Sequence, residues 1–232
     1  MGYEDPQRHR RPRVRLALRN RSVVISALIF AVWFPAMTAA GIAAGAGGDV
    51  TAITGGIAAI TLPVGVFMGY IFCADTFLRE KRDGTIETLL CAPVSLRRLW
   101  EGKAVGITVP AYLTTLLSAV VIAVAASAIT GMPITVDPLL ILHLAFVVPV
   151  WVIASAGLIG AAQLALGMRE NQILGFFFIF GFIFLIVGLQ GVVPGLSLAT
   201  EGILAAAGVA LVVLARFIAG KVTKERVVLT IP

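Results

Sequence analysis

The chain is 232 residues long, 59% hydrophobic and only 13% charged, with a formal net charge of +6. That balance excludes an ordinary soluble domain and indicates an integral membrane protein. The basic residues cluster at the ends of apolar runs rather than along one soluble face, which argues against nucleic acid as a partner.

Residues 1–21 concentrate arginine around a broken apolar pattern of Val14, Leu16, Ala17 and Leu18. Residues 13–21 read as a basic amphipathic elbow lying in the membrane interface, and residues 1–12 as a disordered tail. Arg10 and Arg11 ahead of an apolar run also suit a signal peptide. The apolar segment that follows is much longer than the roughly 7–15 residues of such a signal's core, so a retained span is expected.

A spanning helix needs about 20 apolar residues. Segments 22–45, 53–78, 104–130, 139–166, 173–190 and 202–220 meet or approach that length. The expected fold is therefore all-α: a polytopic membrane protein of six transmembrane helices over residues 22–220, with a C-terminal tail over 221–232. The connections carry the Gly, Pro, Asp and Asn that such breaks require. The fifth segment is short and rich in Phe. The stretch 188–202 after it admits two readings, an ordinary loop or a small re-entrant element dipping back into the membrane.

The eighteen lysines and arginines fall before the first segment, within 79–103, at Arg169, and from Arg216 onwards. The other three connections hold none. By the positive-inside rule both termini, the 79–103 region and the Arg169 loop face the cytoplasm, which demands an even number of spans. A multi-pass protein of a prokaryotic cell membrane is the expected setting.

Asp75 to Lys103 is the one long polar interruption. A charge run, Arg79 to Asp83, ends at Gly84. Ile86, Leu89 and Leu90 then share one face of a short amphipathic helix, with Glu87 and Thr88 on the other. Pro93 stops that helix. Ser95 caps a second short helix with Leu96, Leu99 and Trp100 on its apolar face, and Arg97 and Glu101 paired at i, i+4. A helical hairpin on a membrane surface is built this way.

The sequence has no phosphate-cradling G-x-x-x-x-G-K-[ST] loop, no H-E-x-x-H helix and no G-x-S-G nucleophile segment. The two cysteines, Cys73 and Cys91, support neither a metal site nor a disulfide framework. His143, near the outer end of the fourth segment, reads as a hydrogen-bonded structural group. Asp75 and Arg216 lie close enough to the inner face to join the hairpin. The small pairs Gly41/Gly45, Gly65/Gly69 and Gly157/Ala161 read as helix-packing positions that also suit a dimer seam.

The hairpin resembles that of the membrane permease subunits of type-2 ABC exporters. The matching positions are Glu80, Gly84, Thr85, Glu87, Leu89, Leu90, Pro93, Val94, Ser95, Gly102 and Lys103. The resemblance implies a non-enzymatic permease that dimerises and binds a separate cytoplasmic ABC ATPase subunit. No cofactor is then expected in this chain, with ATP and Mg on the partner. It also implies that Glu80, Gly84, Thr85, Ile86, Glu87, Leu89, Leu90, Pro93 and Ser95 form the coupling element that docks on that ATPase. The external region is much smaller than in longer members, so no substrate carries over. The scattered Thr, Ser, Gln163 and Gln190 among apolar spans suit an amphipathic cargo. The alternative is a six-span channel or ion-coupled secondary transporter whose hairpin binds another partner.

Overall fold

The computed structural model describes residues 25–26, 28–47, 49–86, 95–132, 137–192, 195–223, 225 and 227. The expected elbow over 13–21 lies outside these residues, as do Glu87, Leu89, Leu90, Cys91 and Pro93. The described residues form six long helices and no strand: α1 Ile29–Ala46, α2 Val50–Arg82, α3 Leu96–Thr130, α4 Pro138–Ala165, α5 Met168–Val192 and α6 Leu198–Lys221. All but α5 are long and apolar enough to cross a membrane; α5 contributes the shorter apolar stretch Gly175–Gly191.

Polar caps set the starts. Asp49 caps α2 by accepting from Thr51 N at 2.9 Å, Asp137 caps α4 through Leu139 N at 2.8 Å, and Ser197 caps α6 through Thr200 N at 3.2 Å. The Thr51 hydroxyl and amide hold the Asp49 carboxyl below its usual range, because both bonds favour the charged form. Gly131, at φ +69°, ends α3 in the left-handed conformation that suits glycine.

Three helices carry a wide π turn: Ile29–Trp33, Ala74–Leu78 and His143–Val147. Two of them have a physical cause in the sequence. Pro35 and Pro149 lie just beyond, and a proline leaves the carbonyl four residues earlier without its donor and crowds it. Ala31 and Ala145, the residues so affected, sit inside those two turns, where the helix opens. No proline accounts for the third.

α2 and α4 form the centre. Within their apolar windows 61% of α2 and 44% of α4 is buried, against 22% for α1 and for α6. The two helices run side by side through small residues. A Cβ on Gly65 would stand 3.1 Å from Val152, and one on Gly69 2.9 Å from the Ser155 hydroxyl. The Cys73 thiol lies 3.5 Å from the Ala156 carbonyl, and a Cβ on Gly160 would meet the Phe77 ring at 2.7 Å. So positions four apart on α2 follow positions about four apart on α4. Gly65/Gly69 and Gly157 thus serve packing within the chain, whereas Gly41 and Gly45 face open space.

One expectation is corrected here. The second short hairpin helix does not exist as a separate piece: Ser95 caps a helix of 35 residues that continues into the third span. The fifth apolar segment is short, as expected, at Gly175–Gly191, and a polar first turn extends the helix to 25 residues. Within the stretch 188–202, α5 runs on to Val192 and α6 begins at Leu198.

The Gly160–Phe77 contact leads to a test. Gly160→Ala is expected to lower stability by about 1–3 kcal/mol, because the Phe77 ring is fully buried and must move. Combining it with Phe77→Leu should cost less than the sum of the two single changes. Thermal unfolding of the purified chain reads this; strictly additive losses would show that the contact is not tight.

Candidate functional site

The site is the junction of α2 and α3. An α-helix rises about 1.5 Å per residue, so the 33 residues of α2 and the 35 of α3 each measure about 50 Å. The hydrocarbon layer is about 30 Å thick. Both helices therefore project well beyond it, and their projecting ends are the two arms of the hairpin.

The first arm is Arg79 to Ile86. Lys81 is buried despite its charge, and its ammonium donates to the carbonyls of Leu164 at 3.3 Å and Leu166 at 2.5 Å. These are carbonyls left free at the C-terminal end of α4, where a cation is favoured. The Asn171 amide of α5 donates to Gln163 O at 3.1 Å and to Leu166 O at 3.0 Å, completing the cap. Arg79 pairs with Asp75 at 3.8 Å and Asp83 at 3.6 Å along the exposed side. Gly84, at φ +68°, ends the helix, and the Thr85 hydroxyl bonds back to Glu80 O at 3.2 Å.

The second arm is Ser95 to Lys103. Ser95 accepts from Arg98 N at 3.4 Å. The Trp100 indole donates to Gly157 O of α4 at 3.0 Å, and the ring lies 3.2 Å from where a Gly157 Cβ would stand. Glu101 joins Arg97 at 3.3 Å and Arg216 of α6 at 3.5 Å. Lys103 pairs with Glu80 across the arms and lies 5.1 Å above the Phe77 ring.

Of the sequence-predicted site residues, Glu80, Gly84, Thr85 and Ile86 come together at the end of the first arm, and Ser95 opens the second. Ile86 is completely buried, so its side chain seats the hairpin in the core instead of adding to an outward ridge. Glu80 is held by Lys103 and is partly covered. Glu87, Leu89, Leu90 and Pro93 lie outside the described residues. Sequence reasoning placed Leu96, Leu99 and Trp100 on the apolar face and paired Arg97 with Glu101, and Leu96 and Trp100 are buried and the ion pair is present. It missed Lys81 and Asn171 as caps of α4. The available signal was a lysine four residues beyond Phe77, in the same row that carries Cys73.

His143 and Glu201 form a second buried polar pair at the opposite end, Nδ1 to Oε2 at 2.8 Å. No group of three or more His, Cys, Asp or Glu among the described residues is placed to hold a metal ion.

The family model of the ABC-2 family transporter protein matches residues 14–219, which includes both arms, the first five helices and nearly all of α6. The chain belongs to the ABC-2 transporter family. It is the membrane subunit of an ABC transporter, a permease whose family works with ATP-binding cassette subunits. No curated protein and no solved structure gives a significant match.

Lys81→Met tests the cap. Burying a methionine there leaves carbonyls of the α4 terminus without a donor, and stability should fall by about 1–3 kcal/mol. Arg79→Ala, on the exposed side of the same turn, should change it by about 0.5 kcal/mol or less. Equal effects of the two changes on thermal unfolding would refute the assignment.

Proposed function

We propose that this ABC-2 permease is the non-catalytic half of an ATP-driven exporter, working as a dimer with six spans per copy. Its Lys/Arg-rich end faces the cytoplasm, where two separate ATPase subunits bind ATP and Mg and dock on the hairpin around residues 80–95. The observation that carries the proposal is mechanical. The first arm continues α2 as far as Arg82 and the second is an unbroken part of α3, and both are fastened to the C-terminal half of α4.

A short docking segment joined to its spans by flexible loops transmits little of an applied displacement. Here the arms are helical and cross-linked by Glu80–Lys103. They are also tied to α6 through Glu101–Arg216. Closure of two ATPases would therefore move α2, α3 and α4 together and shift the bundle between two packings. The apolar positions Leu89 and Leu90 supply the docking surface and Glu87 sets its register, since packing gives affinity and charge selects alignment.

Glu87→Arg should weaken co-purification of the ATPase subunit by about tenfold or more while membrane insertion is unchanged. Retained ATPase binding in that variant would remove Glu87 from the docking surface. The intact complex should contain two permeases and two ATPases; a stable one-to-one complex would contradict the dimer.

A further inference from the structure

At the end of the bundle away from the arginines lies a cavity of about 580 Å³, within the range of roughly 300–1,000 Å³ typical of small-molecule sites. The N-termini of α2, α4 and α6 and the end of α5 surround it. Its ionisable lining consists of Asp49, Asp137, Glu201 and His143, joined by the Gln190 amide, with no lysine or arginine.

Two of the carboxylates have a structural task. One oxygen of Asp49 and one of Asp137 cap helices, which leaves each a second oxygen. Helix capping does not explain the third. Glu201 and His143 are buried, at 3% and 1% side-chain exposure, and bonded to each other. The imidazole donates from Nδ1–H to the Glu201 carboxylate, and in the neutral ring Nε2 then presents a lone pair. That nitrogen is buried and has no hydrogen-bond partner among the described residues. An unmet acceptor in a cavity walled by carboxylates is complementary to a positively charged N–H donor.

We propose that this cavity binds an organic cation, an amphipathic amine whose ammonium donates to His143 Nε2 and is neutralised by Asp49, Asp137 and Glu201. The apolar part of such a molecule has Ala52, Ala58, Leu196 and Leu204 to rest against. A bare metal ion fits less well, because the described acidic and histidine groups do not converge as ligands. Reading this site as the exit position of the cargo rests on the exporter assignment and its orientation; the binding itself does not.

The experiment uses dansylcadaverine, a fluorescent primary amine, and dansylglycine, its anionic counterpart with the same fluorophore. Both are titrated into the purified full-length permease. The amine is expected to bind about tenfold or more tightly than the acid. Asp49→Asn with Asp137→Asn should weaken the amine by a similar factor while the helices stay capped, since Asn caps as well as Asp. Glu201→Gln should do the same. Equal binding of the two probes, or amine binding unaffected by these changes in folded protein, would overturn the proposal. Co-purification of the ATPase is measured on the same variants and should be unchanged. Loss of amine selectivity with the ATPase retained would sink this site alone, and amine binding without any ATPase partner would sink the exporter reading alone.

Discussion

The close register of α2 on α4 is the constraint from which the rest of the structure follows. It exists because glycines at 65, 69 and 160 let the helices approach until side chains from one touch the backbone or small side chains of the other. In a straight α-helix, residues four apart drift around the axis by about 40° each time. A row from Gly65 to Lys81 would therefore wind off its neighbour. The wide turn at Ala74–Leu78 takes back part of that drift, and so Phe77 and Lys81 still meet Gly160 and Leu164. In a bilayer, where lipid and leucine are equally apolar, such packing and hydrogen bonding supply much of the association between helices.

The same contact gives the two ends of the bundle different work. At the basic end, Lys81 and Trp100 bind carbonyls of α4, which ties the projecting arms to that helix. At the acidic end, α4 opens on a turn widened by Pro149, which begins at His143 and sets that imidazole beside Glu201. One helix thus meets the lever at its C-terminus and the carboxylate-walled cavity at its N-terminus. The arms and the far cavity are thus joined by one helix, a contiguous physical path between them.

Much of this was legible in the sequence. Apolar run length located the helices, and the distribution of Lys and Arg divided the connections into two groups. Gly84 and Ser95 marked the ends of the arms, because a left-handed terminus and a hydroxyl cap are local properties. Boundaries that depend on partners were not legible. Helix α3 begins eight residues before its apolar stretch because Leu96 and Trp100 find a buried surface on neighbouring helices, which no window along one chain detects. The burial of Ile86 was hidden for the same reason: an amphipathic face shows which residues are alike, not which side is covered. Lys81 read as one charge in a charged run, and only the neighbouring end of α4 distinguishes it from Arg79 and Arg82. Nothing local marks Glu201 either, since its partner His143 lies 58 residues away.

The central claim is that the hairpin and α4 move as one body. Spin labels at Arg98 and at Ala165, the last residue of α4, with Cys73 and Cys91 replaced by alanine, would measure it by electron–electron dipolar distances in the complex with the ATPase. The account predicts an unchanged distance within one permease between the nucleotide-free and ATP-bound states, while the distance between the two Arg98 labels of a dimer shortens. A hairpin that approaches or leaves the end of its own α4 when ATP binds would contradict it.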